Sequence, residues 1–275
     1  MPTQKKEFFP QFMLKIFSRT PSIRQLNVVR YADRVHIGGK AAALGEISSH
    51  GISVPDGFVV PTEMWHERIG GKLIESAANE IIIACNALNG NRFAVRSSAI
   101  VEDGNKSAWA GQFRTHLNIE RSCIREKIED CMASAQSKRV QVYGALRGVA
   151  THEVPIAVIV QEMIFSEVAG VAFSLDPVSG KNCDVIIEAI SGVGVGVVDG
   201  TETPDRYVVD KSSRTVTSVV YATDDRRGVL SARHIEDILT PVCLLEAHFA
   251  CPQDVEWAYA DGVCWILQSR PITTL

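Results

Sequence analysis

The sequence predicts an α+β protein of two lobes, and three features carry the prediction. The first half alternates helix-like and strand-like stretches between glycines. Residues 156–222 then hold five short β-rich runs, IAVIVQEMI, AGVAFSLDP, CDVIIEAI, DRYVVD and TVTSVVYA, parted by Gly, Pro, Asp and Ser. The chain closes on DVEWAYADGVCWILQSRPIT (254–273), where alternation on either side of Asp261-Gly262 is a β-hairpin signature. With 275 residues, 46% of them hydrophobic, the chain can bury the core of one or two domains. The expected division is an extension over 1–30 and lobes over 31–155 and 156–275.

Each element has its own signal. KKEFFPQFMLKIFSR mixes four basic residues with bulky apolar ones, as a docking strand, a frayed extension or a targeting peptide would. After Gly38-Gly39, KAAALGEISSHG reads as a short helix closed by Gly51, with Ser49-His50 at its capped end. ISVPDGFVV is a turn and strand, and Thr62, after Pro61, is placed to cap a helix. KLIESAANEIIIACNALN (72–89) suits a second helix stopped by Gly90. RFAVRSSA and QFRTHLNI are strand-like around the polar loop EDGNKSAWAG. Residues 122–150 suit two helices broken near Ser137, and 231–249 suits one more before the hairpin.

Composition excludes some functions. A formal charge of -4 and a pI near 6.0 lack the basic excess of a nucleic-acid surface. No apolar run approaches the ~18 residues of a membrane span, so a soluble cytoplasmic protein is expected. Seven scattered cysteines without a CxxC pair point to idle thiols in a reducing compartment. The seven histidines form no HExxH and no cluster in sequence, and neither GxSxG nor a catalytic cysteine context is present.

The polar groups of the hairpin ask for a reason. A plain two-residue loop would set Glu256 against Leu267, with Gln268 on the other side. A longer or bulged loop would set Glu256 opposite Gln268 and Asp254 opposite Arg270, all on one face. A carboxylate and an amide oxygen are hard ligands suited to Mg²⁺, and a neighbouring guanidinium suits a phosphate. A simple edge salt bridge of Asp254 or Glu256 to Arg270 is the plainer alternative. GGKAAALG (38–45) offers N–H groups and Lys40 to an anion at a helix start, or only a Gly-Gly turn beside a solvated lysine. In AVRSSAIVEDG, Arg96 and the serines after it could hold phosphates, or Arg96 could be locked to Glu102 or Asp103. VQEMI (160–164) resembles a hinge that presents main-chain groups to an adenine edge with Met163 on the ring, or is only a strand end. GVGVG does not fit the dinucleotide fingerprint and reads as a loop.

In order, GGKAAALGEI, PDGFVV, FAVRSSAIVEDG, AWAGQFRTHLNI, IVQEMI, GVAFSLDPVSG, IEAISGVG, TPDRYVVDK, QDVEWAY and ILQSRPIT resemble one known domain. It is the ATP-binding domain of the phosphoenolpyruvate synthase, pyruvate phosphate dikinase and rifampicin phosphotransferase superfamily. The resemblance spans residues 31–275. It implies an ATP-grasp fold with ATP between two lobes. Lys40 and Arg96 would then hold the phosphates beside Thr115. Gln161, Glu162, Met163 and Ile164 would line the adenine pocket, with Glu188 nearby. Glu256 and Gln268 would coordinate Mg²⁺, and Arg270 would steady the transferring phosphoryl group.

Two departures stand out. Val195 occupies the place of a glutamate common in the family's glycine-rich loop, and the stretch between Trp65 and Arg92 is short. The swivel histidine and substrate domains of the family are expected on another protein or on further chain. Three functions compete: a phosphotransferase half-reaction delivering phosphate to a swivel histidine, a non-catalytic ATP-binding subunit, and a ligase forming an acyl phosphate.

Overall fold

The computed structural model describes residues 23–99, 114–138, 140, 142, 156–194, 197, 200–224 and 227–273. They build two antiparallel sheets with helices on their faces, the α+β arrangement expected. Strand β1 (Arg24–Gln25) leads into helix α1 (Arg34–Ser49) and strand β2 (Gly57–Val60). A 3₁₀ turn at Thr62–His66 and the small ladder of β3 (Arg68–Ile69) with β4 (Lys72–Leu73) come next. Helix α2 (Glu75–Asn86), β5 (Arg92–Ala99), β6 (Thr115–Glu120), α3 (Ile124–Ser134) and β7 (Ile156–Glu162) complete the first part. The second part runs β8 (Val168–Phe173), β9 (Asp184–Ser191), β10 (Asp205–Asp210), β11 (Val216–Val220), α4 (Ala232–Phe249), β12 (Gln253–Ala260) and β13 (Val263–Pro271).

The first sheet has the order β1-β2-β7-β5-β6 and the second β11-β10-β9-β8-β12-β13. Strand β7 therefore corrects the boundary expected at 155/156, because IAVIVQE lies between β2 and β5 in the first sheet. Its residues are buried on both faces, as a continuous apolar run requires. Val158 and Val160 meet the core built by α2 and α3, whereas Ala157 and Ile159 meet α1. In the second part, Ile235, Ile238, Leu239, Val242 and Leu245 recur at helical spacing and pack on the sheet with Val255, Trp257 and Tyr259. Ser231 caps that helix, its hydroxyl accepting from the His234 N–H at 3.2 Å.

Other boundaries shift for local reasons. Helix α2 begins at Glu75 rather than residue 72, because Gly70 and Gly71, at φ 57° and 82°, turn β3 back onto β4. Thr62 caps nothing; it is a buried residue inside the 3₁₀ turn, which starts from Pro61. Of the two helices expected over 122–150, α3 is seen, and most of the second lies outside the described residues.

Helix α1 joins the two sheets. Ala41, Ala42 and Leu44 pack on Val59, Ala157 and Ile159 of the first sheet, while Ile47 belongs to the core of the second. The helix is broken at Gly38 (φ 71°, ψ 164°), so Lys40 stands in the first turn of its second segment rather than at a fresh start. A Cβ on Gly38 would lie 2.3 Å from the Ser98 carbonyl oxygen. This backbone region is open essentially to glycine alone. Gly38→Ala should therefore cost about 2 kcal/mol or more of folding stability. Urea denaturation measures it, and an unchanged midpoint would mean that the Gly38–Ser98 approach carries no constraint.

Candidate functional site

The hairpin resolves the register left open by its sequence. Asp261 and Gly262 have φ of 52° and 75°, forming a two-residue turn with Ala260 opposite Val263. Pairing stays regular to Trp257–Ile266 and resumes at Glu256–Gln268, leaving Leu267 as a bulge. The bulge, not a longer loop, restores the parity that puts Glu256 with Gln268 and Asp254 with Arg270. Cα partners continue this row as Gln268, Glu256, Val171, Glu188 and Arg206. Opposed residues share a face, so Glu188 lies on the face of Glu256 but two strands away, about 10 Å.

Arg96 reaches this hairpin from the other sheet. Its Nη2 donates to Glu256 Oε2 at 2.9 Å and to Gln268 Oε1 at 3.1 Å. Its Nη1 donates to the carbonyl oxygen of the bulged Leu267 at 2.7 Å. Arg96 and Glu256 side chains are only 14% and 15% exposed, so little water competes. The structure thus corrects the expectation for Arg96, which engages the supposed metal pair; Glu102 and Asp103 lie outside the described residues. Arg270 takes the plainer alternative, its Nε and Nη2 donating to Asp254 Oδ2 at 2.8 and 2.7 Å. Burial pushes the Asp254 carboxyl above its ordinary range, against the opposing pull of Arg270.

Beside these groups a cavity of about 300 Å³ opens between the sheets. Arg96, Thr115, Gln161, Glu162, Met163, Ile164 and Glu256 border it, as expected. Sequence reasoning missed Ala94, Leu117 and Ala258. Each lies two residues from an expected one on the same strand, so the period-two rule could have found them. The polar tips of the 161–164 segment are already committed. The Glu162 carboxylate accepts the N–H groups of Asn89 and Gly90, both at 2.8 Å. The Met163 N–H donates to the Arg92 carbonyl, and the Gln161 amide to that of Pro55. What this segment offers the cavity is apolar body and the remaining main chain.

Four expected residues do not border the cavity: Lys40, Glu188, Gln268 and Arg270. Gln268 joins it through Arg96. Half-buried Lys40 lies near enough to Cys131 to oppose the burial that pushes that thiol up to about 12. The serines after Arg96 have structural work: Ser97 Oγ donates to the Arg114 carbonyl at 3.0 Å, and Ser98 Oγ accepts from the Ala41 N–H at 3.2 Å. Val195 lies outside the described residues.

Other motif residues also shape loops. Asp176 of LDPVSG accepts from the Val178 N–H at 3.0 Å and the Ser179 hydroxyl at 2.6 Å, closing a turn. Buried Asp205 of TPDRY accepts from the Ala222 and Val229 N–H groups at 2.7 and 2.9 Å. All seven cysteines are free thiols. Two histidines do come together, contrary to the scatter in sequence: His50 and His248 meet beside Glu46, with His248 Nε2 3.3 Å from its carboxylate. His50 is also the C-cap of α1, as expected. No helix among the described residues is long and apolar enough to cross a membrane.

The profile of the pyruvate phosphate dikinase AMP/ATP-binding domain matches residues 71–275. The chain belongs to this family. Among its relatives, a "Probable phosphoenolpyruvate synthase" of Archaeoglobus fulgidus is 34% identical over 87% of this chain and 40% of the relative. One of the same name from Methanocaldococcus jannaschii is 32% identical over 86% of this chain and 25% of the relative. The "Rifampicin phosphotransferase" of Bacillus cereus is 30% identical over 87% and 34%. The matched region thus spans 25 to 40% of the length of these curated relatives. A D-alanine–D-alanine ligase structure from Bacillus anthracis overlays 85% of this chain and 56% of that one. At 10% identity and a TM-score of 0.39, it bears no weight. The relatives reach the Lys40 region, which the family profile leaves out.

The pKa direction at Asp254 gives a prediction. A raised folded-state pKa means that the protonated form favours folding. That contribution is full below the unfolded value and lost as pH rises through the folded one. Asp254→Asn, which mimics the protonated form, should be the more stable protein at pH 7, by about 1 kcal/mol. Urea midpoints of the two proteins should converge below about pH 4. A less stable variant at pH 7 would show that the pair with Arg270 outweighs desolvation.

Proposed function

We propose that this domain binds ATP with a divalent cation in the cavity between its sheets. It passes a phosphoryl or pyrophosphoryl group to a histidine on a separate swivel protein or domain. One observation carries the reading: the oxygens of Glu256 and Gln268 converge on a single cationic nitrogen beside a largely apolar cavity. A carboxylate and an amide oxygen that meet a cation in this way form a donor set of the kind Mg²⁺ takes, so these residues fit the metal. When bound, the metal supplies charge neutralisation to the triphosphate.

The chain's own residues do the positioning. The apolar sides of Met163, Ile164, Leu117 and Ala258 enclose a flat base, and the main chain past Met163 meets its edge. Thr115, directly across from Arg96 on β6, lies where phosphate oxygens would pass. Arg96 and Lys40 supply positive charge. Arg270 lies one step along the hairpin from Gln268 and holds Asp254 in place. Glu188, on the same face, is close enough to act on a ribose or a second cation rather than on the base. Excluding water and fixing the phosphates is most of what phosphoryl transfer asks of a protein.

The relatives' printed names, phosphoenolpyruvate synthase and rifampicin phosphotransferase, support a phosphotransferase over a ligase. The test supplies ATP, Mg²⁺ and a swivel domain from such a relative to the protein. The expected products are AMP and an acid-labile phosphohistidine, and Glu256→Gln or Gln268→Ala should slow their formation about 10²- to 10³-fold. ATP binding without any phosphoryl loss would replace this reading with a non-catalytic subunit. ADP with an acyl product would replace it with a ligase.

A further inference from the structure

The Arg96 contact has a direction. A guanidinium from β5 of the first sheet fills the place between Glu256 and Gln268 and also holds the Leu267 carbonyl. Those three acceptors belong to the second sheet, 160 or more residues away in sequence. The pair is buried enough that either charge, if abandoned, would be left in a poorly solvated site.

We propose that Arg96 is a latch on the divalent-cation site, so that the site accepts a metal–nucleotide complex and not the free metal. This rests on the reading above, in which Glu256 and Gln268 take the metal. A free divalent cation that enters must displace the guanidinium, and nothing then pairs with Arg96. A nucleotide-bound metal brings its own anion. The triphosphate accepts the guanidinium as the metal takes over the carboxylate and the amide, so every charge keeps a partner through the exchange. Arg96 borders the cavity, so the guanidinium reaches that anion by side-chain rotation, without movement of β5. Metal and nucleotide are therefore positively coupled through one side chain, and the coupling is reciprocal. The same exchange releases the Leu267 carbonyl and with it the direct tie between β5 and the hairpin.

Mn²⁺ serves as the probe, its binding to the full chain followed by electron paramagnetic resonance and calorimetry, with and without a non-hydrolysable ATP analogue. The wild-type protein is expected to bind Mn²⁺ at least about tenfold tighter with the analogue than without it. Arg96→Ala is expected to bind Mn²⁺ alone about tenfold or more tighter than wild type, with most of the coupling lost. Arg96→Lys, which keeps a cation but lacks the planar fork, should fall between, and it carries the test if Arg96→Ala does not fold. Free-Mn²⁺ affinity that is unchanged or weaker in both variants overturns the latch. Glu256→Gln separates the two levels of the argument. If it weakens Mn²⁺ binding in the presence of the analogue, the metal reading stands whatever the latch does. If it leaves Mn²⁺ binding untouched, the metal is elsewhere and both ideas fall.

Discussion

One residue inserted into one strand sets up the rest of this site. Leu267 has no partner on β12, and that single bulge returns Gln268 to the face of Glu256. A regular ladder from the same turn would have paired Glu256 with Leu267. It would have sent the Gln268 amide to the side where Trp257 and Val255 are packed, an apolar place for a polar group. The bulge also turns the Leu267 carbonyl toward Arg96. A backbone irregularity thus gives two side chains their direction and a third its anchor.

The contact it creates is between sheets, which explains what the sequence could and could not show. Strand positions in the second half were legible because alternation and turn residues act over a few neighbours. The types of groups at the site, a carboxylate, an amide and a guanidinium on one hairpin, were legible for the same reason. Their partners were not. Arg96 meets residues 160 to 172 positions away, and no local pattern encodes such a pairing. Strand order is likewise non-local: the apolar run of β7 reads as a strand anywhere, but its seat between β2 and β5 is fixed by burial on both faces. The Gly70-Gly71 turn was local and readable, and the helical composition after it concealed the short ladder.

The family's sequence motifs divide by what their side chains touch. Asp176 and Asp205 spend their oxygens on loop N–H groups, and Ser97 and Ser98 hold β5 to the residue before β6 and to α1. These residues give the site its walls. Only Arg96, Glu256 and Gln268 form a charged set that crosses between sheets. Motif order therefore identifies the domain, but chemistry within a motif has to be read from its hydrogen bonds.

Helix α1 shows why the walls matter to the chemistry. Its alanines let it lie close to the first sheet, Ile47 enters the core of the second, and its flank packs on β13. At its far end Glu46 pairs with His248 at the end of α4. A second tie runs from the Ile266 N–H to the Ser53 carbonyl at 2.8 Å, joining the hairpin to the approach to β2. Neither tie depends on Arg96. The sheets are thus held at their back by packing and ordinary hydrogen bonds, while the front edge is held by a charge that a ligand can satisfy instead. A cleft built in this way can exchange its front contact for a nucleotide without giving up the alignment of Lys40, carried on α1, with the hairpin opposite.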